Sequence, residues 1–364
     1  MKQDQDYMRL ALELAETALG KTNPNPVVGA VIVKDGVVVG TGLHRKAGEP
    51  HAEVHAFNMA GEHAKGATLY VTLEPCSHYG KTPPCALLVK ESGVKRVVVA
   101  TEDPNPMVAG RGINLLKEAG IEVDVGILKE EAQKLNERFI YNMVHSKPFV
   151  ISKVAMTLDG KIATYTGHSQ WITGEAARKE VHQLRNQVDA ILVGVGTVLA
   201  DNPKLTTRLS GPSKNPIRII LDTHLRTPIQ SNVADTKDAK TIIVTSMESN
   251  LEKAKQLEEK GVQILRVPSI NGRISMEEML GNLYQLGITD ILLEGGSEVN
   301  ASFMRQGLIQ KYLVYIAPKI AGGSNSFTPF RGEDIENINE SVSLQFEKSE
   351  MVGLDMKITA YPQK

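Results

Sequence analysis

The most specific chemistry in this sequence is carried by a histidine, a glutamate two residues later, and two cysteines that each follow a proline. These are His51, Glu53, Cys76 after Pro75, and Cys85 after Pro84. Zinc prefers nitrogen and sulfur donors in a tetrahedron, and a catalytic zinc keeps one corner for water. His51, Cys76 and Cys85 supply three corners, and water on such an ion ionises at a pKa of about 7. A carboxylate placed two residues after the histidine, not itself a ligand, can carry a proton from that water to a departing amine. Glu53 is expected in that role. The combination reads as a zinc site that removes an amine from a nucleobase-like ring.

The same residues admit other readings. A closed structural zinc brings a fourth protein ligand, and His55 or His78 could supply it. That alternative stays open on the sequence alone. A metalloprotease motif would place the glutamate directly after the first histidine, and here Ala52 intervenes. A disulfide between the two cysteines needs an oxidising compartment, and the polar, acidic start of the chain is no secretory signal.

The elements that must position these groups can be read around them. Pro50 suits the first position of a helix, which puts His51 and Glu53 in its opening turn. Residues 69–73 read as a strand that exits into Glu74, Pro75 and Cys76, and Pro84 opens a second helix with Cys85 in its first turn. A helix N-terminus favours a thiolate there. Upstream, apolar residues at helical spacing over 7–18, a buried strand at 27–33 and the Lys34-Asp35-Gly36 turn predict a helix followed by a hairpin. Downstream follow a strand at 94–100, a short helix at 113–119, a strand at 121–125 and one closing helix over 128–144. Strands alternating with helices predict an α/β sheet covered on its faces, with ligands at the carboxyl ends of the strands. Asn25, Asp103 and Asn105 are therefore candidate substrate binders, against the plainer reading that they only form Asx turns. Eight residues separate Cys76 from Cys85 where many zinc deaminases have two, and this loop offers His78 and Lys81 to a substrate.

A domain boundary is expected where the closing helix meets Pro148, giving domains 1–145 and 146–364. The second half again alternates strands and helices. Glycine-bearing turns follow strands at 194–197 and at 294–297, where backbone N–H groups can approach a phosphate. Neither turn is a G-x-G-x-x-G fingerprint, so an ordinary dinucleotide fold is not expected. Arg178 and Arg185 lie seven apart on one helix face, and with Arg208 they could clamp a phosphate.

The chain has 364 residues, 41 basic against 42 acidic side chains, and no basic stripe. That balance counts against a nucleic-acid-binding editing enzyme. No apolar run approaches the ~20 residues that cross a bilayer, so no membrane partner is expected and the protein is placed in the cytoplasm. The other alternative is a degenerate second half kept only as an interaction surface.

The whole chain resembles one family, the bifunctional deaminase–reductase enzymes of bacterial riboflavin biosynthesis. The resemblance is carried by residues 51–56 (HAEVHA), 72–85 (TLEPCSHYGKTPPC), 103–106 (DPNP), 158–163 (LDGKIA), 169–173 (SQWIT), 194–203 (GVGTVLADNP) and 294–296 (EGG). It implies a cytidine-deaminase-like three-layer domain followed by a dihydrofolate-reductase-like α/β domain, with one zinc ion per chain and NADPH as cofactors. The implied substrates are small phosphorylated pyrimidines, deaminated on the ring by the first domain and reduced from ribosyl to ribityl by the second. A homo-oligomer is expected. Carried over by position, Asn25, His44, His78, Lys81, Asp103 and Asn105 would hold the first substrate. Ala155, Trp171, Thr197, Asp201, Thr223, Gly296, Ser297, Glu298, Val299, Asn300, Ala301 and Ser302 would touch NADP. Ser169, Arg185, Leu205, Arg208 and Glu294 would hold the second substrate, with Lys153 and Asp201 as candidates to polarise or protonate the ring-opened sugar imine.

Overall fold

The structure, a computed structural model, describes residues 2–79, 83–105 and 109–363. It divides into two compact units, Met1–Ser146 and Lys147–Lys364.

In the first unit, α1 (Lys2–Glu16) precedes a hairpin of β1 (Gly29–Lys34) and β2 (Val37–Leu43). The turn residues Asp35 and Gly36 both have positive φ, the geometry that matches the twist of a two-residue hairpin. Then come α2 (Ala52–Ala60), β3 (Thr68–Val71), α3 (Cys85–Glu91), β4 (Arg96–Val99), α4 (Arg111–Glu118), β5 (Glu122–Val125), α5 (Lys129–Leu135) and α6 (Glu137–His145). The sheet order is β2-β1-β3-β4-β5, antiparallel across the first two pairings and parallel across the last two. Ala52, Ala56 and Ala60 of α2 pack with Val89, Ile113 and Leu116 on one face of it. Met8, Ala11 and Leu12 of α1 pack with Ala132 of α5 on the other. Three layers result.

Two local expectations needed correction. His51 is the N-cap of α2, with extended backbone, and Pro50 stands before the helix instead of opening it. The single helix expected over 128–144 is two, broken at Asn136. The Asn136 side chain is buried: it accepts from Val27 N at 2.9 Å and donates to Val27 O at 2.9 Å. A side-chain amide that satisfies a neighbouring backbone in this way stabilises a break in the helix.

The second unit holds β6 (Phe149–Thr157), α7 (Glu175–Gln187), β7 (Ala190–Gly194), α8 (Val195–Asp201), β8 (Ile217–Leu221), β9 (Thr241–Ser246), α9 (Leu251–Glu258) and β10 (Gln263–Val267). A two-stranded ribbon, β11 (Ser269–Ile270) with β12 (Arg273–Ile274), leads to α10 (Met276–Gln285), β13 (Asp290–Leu293), α11 (Ser297–Arg305), β14 (Lys311–Ala317), β15 (Leu344–Val352) and β16 (Asp355–Pro362). The large sheet runs β10-β9-β8-β7-β13-β6-β14-β16-β15. Its first seven strands are parallel, and β16 and β15 close it antiparallel. Parallel strands need covered faces, which explains the nearly all-apolar β7, β8 and β13. Met279 and Leu283 of α10 and Phe303 of α11 cover one face, and Val198 of α8 with Ala254 and Leu257 of α9 cover the other. Because β13 returns to pair between β7 and β6, the carboxyl ends of these three strands face one crevice, where ligands of such sheets bind.

Candidate active sites

In the first unit β3 ends beside the start of α2, and α3 begins beside the chain that leaves β3. His51 Nδ1 lies 3.6 Å from Cys76 Sγ and 3.3 Å from Cys85 Sγ. All three donor atoms fall within 4.8 Å of one another. Tetrahedral zinc, with Zn–S about 2.3 Å and Zn–N about 2.0–2.1 Å, would hold such an N–S pair about 3.6 Å apart, so the donor set fits the ion. The Cys85 backbone N–H, at the start of α3, donates to Cys76 Sγ at 3.3 Å. Contact with the Cys85 side chain, and then with His51, holds the Cys76 thiol well below its ordinary range despite its burial. A thiolate is the form that binds a metal. His55 and His78 are not in this cluster. Three donors without a fourth among the described residues fit a catalytic rather than a structural zinc site.

Glu53, in the first turn of α2, is only 3% exposed. Burial pushes its carboxyl up to about 7; a bond to its own backbone opposes the rise, the Cys76 sulfur adds to it and His51 opposes it. A carboxyl poised there can both take and give a proton near neutral pH. His44 is buried with its ring 5.4 Å from that of His51, edge to face. Its Nδ1 pairs with Pro50 O at 3.2 Å and its Nε2 with Asn25 Nδ2 at 3.2 Å. Nδ1–H donating and Nε2 accepting satisfies both contacts with a neutral ring, and burial lowers the ring's pKa accordingly. Burial raises the Asp103 carboxyl; the Asn105 N–H, 2.9 Å from its Oδ1, opposes the rise, and it also feels the charges of Glu74, His78 and Cys76. His78 is exposed, and Lys81 lies outside the described residues.

In the second unit the crevice is a cleft of about 1100 Å³. Its floor is an ion triad from three elements. Glu294, directly after β13, takes Lys153 Nζ of β6 at 2.8 Å and Arg185 Nε of α7 at 2.8 Å. Arg185 also donates to Glu294 through Nη2 at 3.1 Å and to Thr206 O through Nη1 at 3.1 Å. Burial would raise the Glu294 carboxyl, but Arg185 and Lys153 override it and hold the group below the usual carboxylate range. Beside the triad, the turn after β7 and the N-terminus of α11 approach closely. A Cβ on Gly194 would sit 2.7 Å from Val299 Cγ2, so any larger residue there would force the Val299 side chain to shift. Free N–H groups of a helix start suit a phosphate, and Asn300 Oδ1 is buried there without a hydrogen-bond partner. The residues present fit a phosphate-bearing dinucleotide such as NADPH.

Residues 148–358 match the family model of the RibD C-terminal domain, and residues 1–101 match the cytidine and deoxycytidylate deaminase zinc-binding region. Riboflavin biosynthesis protein RibD of Aquifex aeolicus is 49% identical over 355 residues, 98% of this chain and 97% of its own. That of Escherichia coli is 41% identical over 368 residues, covering 97% and 98%. The chain belongs to the RibD family. Among solved RibD structures, that of Acinetobacter baumannii superposes with a TM-score of 0.89 at 39% identity, over 100% of this chain and 99% of the other. A Thermotoga maritima structure, a diaminohydroxyphosphoribosylaminopyrimidine deaminase/5-amino-6-(5-phosphoribosylamino)uracil reductase, gives 0.86 at 38% identity, again over 100% and 99%.

Within this RibD chain the cleft is lined by Lys153, Ala155, Ser169, Trp171, Arg185, Thr197, Asp201, Leu205, Arg208 and Glu294, and by Gly296, Ser297, Glu298, Val299 and Asn300. Thr223, Ala301 and Ser302 are not among its lining residues. Thr223 sits in the turn after β8, its carbonyl taken by Ser246 N and Thr245 Oγ1. Ala301 and Ser302 fall beyond the first turn of α11, where N–H groups are already used within the helix. Sequence reasoning missed His182, which lines the cleft on the same face as Arg178 and Arg185. Its spacing, four after Arg178 and three before Arg185, was the available signal.

Proposed function

We propose that this chain performs two consecutive steps of riboflavin biosynthesis, with residues 1–145 as a zinc deaminase and 146–364 as an NADPH-dependent reductase. The first step replaces the ring amine of 2,5-diamino-6-(5-phosphoribosylamino)pyrimidin-4-one by oxygen, consuming water and releasing ammonia. The second reduces the ribosyl group of 5-amino-6-(5-phosphoribosylamino)uracil to ribityl. The observation that carries this reading is the His51, Cys76 and Cys85 cluster over a buried Glu53, on a chain that matches RibD proteins along nearly its full length.

His51 Nδ1, Cys76 Sγ and Cys85 Sγ would hold zinc, which would supply a water nucleophile at neutral pH. Glu53 takes a proton from the attacking water and delivers it to the departing amine. His44, pinned through Pro50 O and Asn25, orients one wall of the pocket, and Asp103 and Asn105 supply polar contacts from another. In the reductase, Arg185 and Arg208 orient the substrate phosphate. The Thr197 turn and the start of α11 would hold NADPH, whose chemistry would be that of a hydride donor to the ring-opened sugar. Lys153, paired with Glu294 at 2.8 Å, sits on the cleft floor to polarise the imine or give its nitrogen a proton, with Asp201 at the end of α8 as the second candidate.

Among the described residues no helix is long and apolar enough to cross a membrane. Two free cysteines used as metal ligands support a reducing, cytoplasmic location. Exposed apolar residues on the closing hairpin, Phe346, Met351 and Leu354, support a homo-oligomer. The deciding assay follows ammonia release and cofactor absorbance separately on the diaminopyrimidine phosphate, with and without NADPH. Ammonia without NADPH and cofactor oxidation only after ammonia has formed are expected. Zinc-loaded protein that releases no ammonia would overturn the reading.

A further inference from the structure

We propose that Glu74 is a positioning residue of the deaminase: its carboxylate ties the segment carrying Asp103 and Asn105 to the segment carrying the zinc ligand Cys76. The inference rests on the assignment of Asp103 and Asn105 to the substrate and adds the group that sets their place.

Glu74 is 4% exposed, in the chain between β3 and Cys76. A buried carboxylate must be paired or hydrogen-bonded, and Glu74 meets the requirement with backbone alone. Its Oε2 accepts from Asp103 N at 3.2 Å and Gly110 N at 2.9 Å. Its Oε1 accepts from Gly112 N at 2.8 Å and Ile113 N at 3.2 Å. Gly112 and Ile113 are in the first turn of α4, where free N–H groups and the helix dipole favour an anion. A helix cap needs only those. The two further bonds, to Asp103 and Gly110, reach back across the connection from β4, so one carboxylate fixes both ends of it.

Two more observations place this clamp in the site. Glu74 N donates to Thr101 O at 3.0 Å, joining the exits of the parallel β3 and β4 at the level where ligands bind such sheets. A Cβ on Gly112 would overlap Pro75 O and lie 3.2 Å from Glu74 Oε1, so α4 rests directly on the residue before Cys76. Asp103 is held on its other side by the 2.9 Å bond from Asn105 N to its Oδ1. The carboxyl of Asp103 is thus set from behind, through its own N–H, by Glu74.

Glu74→Gln tests this. An amide NH₂ in place of one oxygen turns two acceptances into donor–donor conflicts and frees half the clamp. The expected result is a KM for the diaminopyrimidine phosphate raised about tenfold with kcat changed less than about threefold. Zinc content per chain and the reductase KM should stay as in the wild type. An unchanged deaminase KM, or a loss of zinc that accounts for all of the defect, overturns the proposal. Asp103→Ala measured alongside separates the two assumptions. If it leaves KM unchanged, the assignment of Asp103 fails and the proposal with it. If it raises KM while Glu74→Gln does not, only the clamp fails. The double variant should raise KM by less than the product of the two single effects. Amide hydrogen exchange on the wild-type protein needs no variant to fold: slow exchange at Asp103, Gly110 and Gly112 is expected, and solvent-like rates there would overturn the clamp.

Discussion

At the scale of single residues, each unit depends on a buried carboxylate kept in a chosen protonation state by its surroundings. Burial, with the sulfur of Cys76 beside it, makes Glu53 hold its proton more tightly than an ordinary carboxyl, up to about 7, so it can take a proton and return it to a substrate near neutral pH. Glu53→Gln keeps the shape and loses the proton transfer. Deamination should fall about 10²- to 10⁴-fold, while zinc per chain, read by metal analysis, and NADPH oxidation on the deaminated substrate stay at wild-type levels. Near-normal ammonia release from the variant would remove Glu53 from the mechanism. Glu294 is the opposite case, since Arg185 and Lys153 hold it ionised against its burial. A carboxyl with a depressed pKa stabilises the fold fully above its ordinary value of 4.5 and loses that contribution as pH falls below it. The melting temperature of the reductase unit should therefore carry no Glu294 step between pH 7 and 5 and should drop on further acidification. Glu294→Gln leaves two cations unneutralised and should cost about 3 kcal/mol at neutral pH. It should also flatten that acid limb. A variant as stable as wild type at pH 7 would show that the triad contributes no stability.

At the scale of elements, α7 shows how a helix face sets a cleft's field. It presents Arg178, His182 and Arg185 to the same space. His182 Nδ1 accepts from Arg208 N at 3.3 Å. Burial, then the charges of Arg185 and Arg208, push its pKa down to about 4. The unfolded chain therefore takes up this proton first as pH falls. Stability of the unit should decline from near the ordinary value of 6.5 and level off near 4. In His182→Gln the fall in melting temperature between pH 7 and 5 should be smaller than in wild type, and an equal fall would clear His182 of the effect. This histidine was readable in the sequence, because helical spacing groups it with two arginines already singled out. Other features were not readable. The break at Asn136 depends on Val27, more than a hundred residues away, and no local pattern announces it. Strand β15 carries Glu347, Lys348 and Glu350 with hardly a buried residue, as an edge strand that resists further pairing does. Its period-2 signal is lost for that reason, while β7 and β13, buried on both faces, stand out as apolar runs. The zinc donors were legible because their chemistry tolerates no other residue types, and Glu74 was not, because its partners are backbone N–H groups that leave no trace in residue type.

At the scale of the whole molecule, the two chemistries draw on different cofactors held by different units, so each cofactor should act on one activity and one unfolding event. Zinc on His51, Cys76 and Cys85 would bridge α2, the β3 exit and α3. Ligands that bind only the folded state stabilise it by RT ln(1 + [L]/Kd). NADPH at 100 times its Kd should thus add about 2.7 kcal/mol to the second unit. A zinc chelator should abolish ammonia release and lower the melting temperature of the first unit, while reduction of the already deaminated substrate continues. Hydrogen exchange read by peptide assigns each effect, with residues 51–91 deprotected by chelation and residues 194–208 and 294–300 protected by NADPH. Chelation that stops reduction of the deaminated substrate to the same extent as deamination would mean that the reductase chemistry depends on the metal, and the division of labour between the two units would have to be abandoned.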